Sequence, residues 1–183
     1  MAETLTLASF LQAVRGGCTE EVAQSIKIHS DFIDSPDPYG MTPLHWAAWK
    51  GQDSIAELLL RSGSQTLDAL DSHSMTPLHY AARFGRCSTV ELLLRFGSQA
   101  LNSLSFTLQW TPLQYALTTE NKEKAHILRA VGASPDFDLE EFEPLTPVQI
   151  EMLREPILEE EVLEIRFRIY LGPSLVSHVL FFL

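Results

Sequence analysis

Six histidines, two cysteines and 24 carboxylates are the side chains of this 183-residue chain that could do chemistry. Cys87 lies near His73 and His79 in sequence, which is the beginning of a nucleophilic pair. Such a pair needs a third group to orient the base, and none is spaced for that here. Cys18 and Cys87 form no metal-ligand spacing, so both read as reduced thiols, Cys87 at least half-buried. The run Asp136 to Glu143 is rich in carboxylates, but it lacks the turn glycine of a cation-binding loop. It reads as a solvated acidic linker. No GxGxxG, P-loop, HExxH or GxSxG pattern occurs. The sequence therefore predicts neither catalytic residues nor a metal, a cofactor or a small-molecule substrate. What remains is the chemistry of contact, carried by aromatic side chains with arginine and lysine among them.

Those contact residues must be positioned by something, and a repeated stretch supplies it. Thr42-Pro43-Leu44-His45-Trp46-Ala47-Ala48 returns as Thr76-Pro77-Leu78-His79-Tyr80-Ala81-Ala82 after 34 residues. It returns again, altered, as Thr111-Pro112-Leu113-Gln114-Tyr115-Ala116-Leu117 after 35. A fixed period of this size marks a stacked array. Each copy reads as a helix start. Thr42, Thr76 and Thr111 can cap free N–H groups, and Pro43, Pro77 and Pro112 occupy the first helical position, where no N–H is needed. Leu44 and Ala47 point inward, the small Ala pair admits a second helix, and His45 and His79 are placed to hydrogen-bond a neighbouring turn.

These residues resemble the ankyrin repeat, whose T-P-L-H-x-A signature follows the same logic. The resemblance covers roughly residues 7 to 137. It implies an all-α solenoid of helix-turn-helix units joined by β-hairpin-like turns. The repeats fall at about 7–34, 37–68, 71–102 and 106–137, with a C-terminal segment over 138–183.

Repeat one lacks Thr-Pro, as an end cap would. Its helices are expected over Phe10 to Gly17 and Cys18 to Ile26. In repeat two, Asp37-Pro38-Tyr39-Gly40-Met41 is a turn with glycine where a positive φ is wanted. Gly51 ends the first helix, and Ser54 to Arg61 forms the second. Repeat three has Ser74 in place of that turn glycine, which predicts a strained turn, and Gly85 in place of Gly51. Repeat four has Gln114 for histidine and a turn segment, Leu104 to Trp110, without the usual Asp and Gly. A capping half-repeat is expected at 144–155, stopped by Pro156. In the tail over 156–183, Ile165, Phe167, Ile169 and Leu171 alternate with polar residues as in a strand.

Charge separates these parts. Residues 41–134 hold eight bases and seven acids, whereas residues 135–161 hold one base and ten acids of a chain whose net charge is −11. A basic nucleic-acid-binding face is therefore not expected. The N-terminus has neither a basic region nor a long apolar run, so no signal peptide is expected, and the location implied is intracellular, cytoplasmic or nuclear.

The family resemblance implies that partner contacts come from turn positions and from the two residues after the Ala pair, on a concave face. Here these are Tyr39, Met41, Trp49 and Lys50, then Ser72, His73, Met75, Arg83 and Phe84, then Thr107, Leu108, Trp110, Thr118 and Thr119. Aromatic and arginine side chains are the common anchors of interfaces. Trp49 and Phe84 are expected to be exposed, and Trp46, Tyr80 and Tyr115 to pack between repeats. The expected function is non-enzymatic recognition of a protein partner, as an adaptor or inhibitor. Two other readings attach to the tail. Leu163 to Leu171 lies where ankyrin adaptors of ubiquitin ligases carry a ligase-docking box, although the cysteine and the proline-rich follow-up of that box are missing. Ile169 to Leu183 is apolar, but its 15 residues fall short of the roughly 20 needed for a span, which leaves peripheral membrane attachment. Finally, Asn102, with Leu94 eight residues before it, resembles the hairpin asparagine that intracellular hydroxylases modify.

Overall fold

The computed structural model describes residues 6–119 and 122–133. Among the described residues eight α-helices form four successive pairs: α1 Leu7–Gly16 and α2 Thr19–Ile28, α3 Pro43–Lys50 and α4 Asp53–Arg61, α5 Pro77–Arg83 and α6 Cys87–Arg95, α7 Pro112–Leu117 and α8 Lys122–Ala130. Short 3-10 segments cover Ser30–Asp34 and Ala100–Asn102. No strand occurs among the described residues, so the fold is all-α. The half-repeat at 144–155, the acidic run and the tail over 156–183 lie outside the described residues.

Threonine starts each first helix of a pair. Thr42 and Thr76 form reciprocal capping boxes with His45 and His79, and Thr111 forms one with Gln114. The histidine is the acceptor half of the box: the Thr42 N–H donates to His45 Nδ1 at 3.1 Å. Gln114 Oε1 does the same for the Thr111 N–H at 2.7 Å. Repeat one differs from expectation here. Thr6 and Ser9 make their own capping box, so α1 begins at Leu7, before the expected Phe10.

The helices pack in two layers. The inner helices α1, α3, α5 and α7 lie side by side, and the outer helices α2, α4, α6 and α8 back them. Leu44, Leu78 and Leu113 from the inner layer meet Ile55, Leu59, Val90, Leu93 and Leu128 from the outer, all essentially without solvent exposure. The alanine pairs Ala47-Ala48 and Ala81-Ala82 are fully buried between layers, where any larger side chain would push the helices apart.

Successive repeats are joined by directional polar ties. His45 Nε2 meets the Met75 carbonyl at 3.0 Å, and His79 Nε2 meets the carbonyls of Ser103 and Trp110 at 3.0 and 3.1 Å. At the other end of the helices, Asp34 accepts from the Ser64 hydroxyl and the Gln65 N–H. Asp68, 34 residues on, accepts from Ser98 and Gln99 in the same way.

The turns form a backbone ladder of their own. The Ser72 N–H donates to the Tyr39 carbonyl at 3.0 Å, and the Phe106 N–H to the His73 carbonyl at 2.8 Å. Gly40 has φ 76°, and its counterparts Ser74 and Gln109 have φ 54° and 53°. The strain expected at Ser74 is present, and a second strained residue stands in repeat four. Replacing Ser74 with glycine removes the Cβ conflict of the left-handed region and should raise stability by about 0.5–1 kcal/mol in chemical denaturation. Gln109→Gly should gain less, because the Gln109 amide also donates to the Ser105 and Phe106 carbonyls.

Gly51 closes α3 in the left-handed region, as expected. Gly85 does not play the same part. α5 ends at Arg83 with Phe84 still right-handed, and Gly85 is not in the left-handed region. Its backbone instead lies against Ala48 and Ala81.

Candidate functional site

The period of 34 places Arg15, Trp49 and Arg83 at one equivalent position, and Lys50 and Phe84 at the next. All lie at the C-terminal ends of inner helices, where the fold lines them up across repeats. The result is a ladder of stacked rings and cations. The Arg15 guanidinium lies 3.7 Å from the centroid of a Trp46 ring. Trp46 stacks on Trp49 at 4.9 Å and 18°. Trp49 in turn meets Tyr80 at 5.6 Å and Phe84 at 5.7 Å. Arg83 lies over Phe84 at 4.5 Å and Tyr115 at 5.3 Å, and Tyr115 makes an edge contact with Trp110 at 5.3 Å. Lys50 is exposed and lies 5.6 Å from the Trp49 ring. Cation–ring contacts of this kind contribute about 0.5–2 kcal/mol each, depending on how far water is excluded.

Beneath the ladder, buried polar groups hold the rings in place. Asp37 accepts from the Trp46 indole N–H and from Arg15, both at 3.1 Å. Its other oxygen accepts the N–H groups of Tyr39 and Met41. Asp71 repeats the pattern with the Tyr80 hydroxyl at 2.7 Å and the N–H groups of His73 and Met75. In repeat four Ser105 takes this place and shares a hydrogen bond of 3.0 Å with the Tyr115 hydroxyl. Burial alone would raise the Asp71 carboxyl, but hydrogen bonds from His73, Tyr80 and the backbone carry it below the usual carboxylate range. Burial pushes the Tyr80 and Tyr115 hydroxyls up, so both stay neutral. Burial also lowers Arg83, to about 10, and the guanidinium remains charged at neutral pH.

The expected contact residues divide in two. Tyr39 and Lys50 are exposed, and Trp49, His73, Arg83, Phe84 and Trp110 are half-buried. The expectation of exposed Trp49 and Phe84 is corrected to a partial one, since each packs against neighbouring rings. Met41 and Met75 require a fuller correction. They are 5% and 6% exposed, because the backbone bonds to Asp37 and Asp71 turn them into the core. Trp46, Tyr80 and Tyr115 pack between repeats as expected. His45 and His79 are completely buried in their capping and inter-repeat bonds. Asn102 is exposed at the end of its 3-10 segment, 34 residues beyond Asp68, at the position where Asp34 and Asp68 bridge neighbouring repeats. Arg15 was not among the expected contact residues. Its 34-residue spacing from Trp49 was the available signal, hidden because repeat one lacks the Thr-Pro marker.

The Cys87 thiol donates to a Glu123 carboxylate oxygen at 3.4 Å. Among the described residues no cluster of histidine, cysteine and carboxylate could hold a metal ion, and no helix is long and apolar enough to cross a membrane.

Comparison with known families matches residues 39–72 to the model of the ankyrin repeat and residues 65–138 to that of ankyrin repeats in three copies. No curated protein matches the chain.

Proposed function

Since this chain belongs to the ankyrin-repeat family, whose repeats are protein–protein interaction modules, we propose that it is a non-enzymatic adaptor or inhibitor that docks a protein partner on its inner-helix face. The observation that carries this reading is the ladder from Arg15 to Trp110. It sets half-buried aromatic faces beside fixed cations, the composition of an interface centre. Tyr39 and Lys50 rim it with exposed polar and aromatic surface.

The test is affinity capture from a cell extract with the intact chain. Tyr39→Ser combined with Lys50→Glu changes only exposed side chains and should cut recovery of the captured protein by about tenfold. The outer-helix variant Glu91→Lys should leave recovery unchanged, since Glu91 is exposed on the opposite layer. Trp49→Ala with Phe84→Ala should abolish capture but also lower the melting temperature, because both rings pack against the core. Undiminished capture by the surface variant, with the partner still bound to the Trp49/Phe84 double variant, would place the docking surface elsewhere.

A further inference from the structure

We propose that the inner-helix face takes an acidic peptide segment with apolar residues set between its carboxylates. This rests on the reading of that face as the docking surface, and it names the chemistry of the partner. The evidence is that the inner helices, unlike the outer ones, carry bases with no acid among them. The inner helices α1, α3, α5 and α7 carry Arg15, Lys50 and Arg83 and no acid. The outer helices carry six acids, among them Glu57 and Glu91, balanced by six bases, among them Arg61 and Arg95. The carboxylates nearest the ladder, Asp37 and Asp71, are buried and taken up by ring N–H or O–H donors and turn N–H groups, Asp37 also by Arg15. On a chain of net charge −11, the described part of this face therefore presents cations.

The cations also alternate with rings along the array. One register runs Arg15, Trp49, Arg83, and the adjacent one runs Lys50, Phe84. A cation stacked on a ring is held beside apolar surface; Arg15 is in addition paired with Asp37 and still 43% exposed at its side chain. Lys50 makes no ion pair among the described residues. A segment laid across successive repeats thus meets positive charge, aromatic surface and positive charge in turn. Its complement alternates carboxylates with phenylalanine or leucine. A nucleic acid could in principle use the same rings and cations. Three bases on the inner helices are few for a phosphate backbone, whose binding scales with the number of charges neutralised.

Calorimetric titration of the full chain would test this with three twelve-residue peptides of identical phenylalanine and leucine content, spaced by glutamate, serine or lysine, and with oligodeoxythymidine. The glutamate peptide should bind about tenfold or more tightly than the serine peptide, and the advantage should shrink as salt is raised. The lysine peptide should bind most weakly. Lys50→Glu should weaken the glutamate peptide about three- to tenfold with the chain still fully folded at the titration temperature. Equal affinity for the three peptides, all lost in the Tyr39→Ser and Lys50→Glu variant, would overturn the acidic partner and leave the face intact. Glutamate-peptide binding unaffected by that variant would overturn both. Absence of glutamate-peptide binding, or tighter binding of the oligonucleotide, would overturn the acidic peptide outright.

Discussion

Gly85→Ala is expected to destabilise the array by about 2–3 kcal/mol, although it adds one methyl group and demands no unusual backbone angle. A Cβ at this position would lie 2.6 Å from the Ala48 carbonyl oxygen and 2.8 Å from the Ala81 Cα. Both are backbone atoms of buried inner helices, so neither can swing aside. Relief from Ala48 requires α3 to move away from α5, and relief from Ala81 requires the turn after α5 to open, which together would disturb the fully buried Ala47-Ala48 and Ala81-Ala82 contacts. The control is Gly16→Ala, the same chemical change at the exposed end of α1. There the Cβ meets only the Cys18 sulfur at 3.6 Å. Removing a helical glycine should stabilise by about 0.5–1 kcal/mol. Urea denaturation followed by circular dichroism reads both. Equal midpoints for Gly85→Ala and the parent chain would refute the close-approach account.

Acid should act on the same contacts through the histidines. His79 is buried, and burial pushes its imidazole from about 6.5 down to about 4; His45 is lowered for the same reason. Each Nδ1 accepts a threonine N–H, while Nε2 reaches the carbonyls of the next repeat. Protonating Nδ1 would set two donors against each other, so the folded state holds the neutral ring. Between these pH values the unfolded chain binds the extra proton and the folded chain does not. The stabilisation is therefore complete above about pH 6.5 and is lost as pH falls toward 4. For His79 alone the loss amounts to about 3 kcal/mol. His79→Gln separates the two roles of this side chain. Gln114 shows that glutamine can serve the threonine cap. The variant should be less stable at pH 7 by about 1–2 kcal/mol, through its lost bonds to Ser103 and Trp110. Its stability should fall less steeply than that of the parent between pH 6.5 and 4. An unchanged slope would remove His79 as the source of the acid sensitivity.

The scaffold was legible in the sequence because its residues are chosen by local backbone geometry. Thr-Pro before Leu-His announces a capped helix with no reference to the rest of the chain, and Ser74 in a glycine position announces strain. The features that escaped depend on neighbours distant in sequence. Gly85 looked like another helix terminator, but its role is set by how near Ala48 comes. Met41 and Met75 occupy variable turn positions, and only the hydrogen bonds to Asp37 and Asp71 reveal that they face inward. Gln109 gave no sign of a positive φ, since the turn of repeat four holds one extra residue and shifts the alignment. Arg15 completes the ladder from a repeat too degenerate to have advertised it. The contact surface was thus readable as a set of positions, while its continuity required the rings to be seen side by side.

That continuity gives the surface an optical signature. The chain contains three tryptophans, and Trp46, Trp49 and Trp110 all belong to the ladder. Near-ultraviolet emission excited through indole therefore originates from the candidate docking face and from nowhere else in the protein. Trp46 and Trp49, stacked at 4.9 Å, are also close enough for their transitions to couple. An occupant that displaces water from Trp49 or tilts it against Trp46 would register in native emission and near-ultraviolet dichroism, with no label attached.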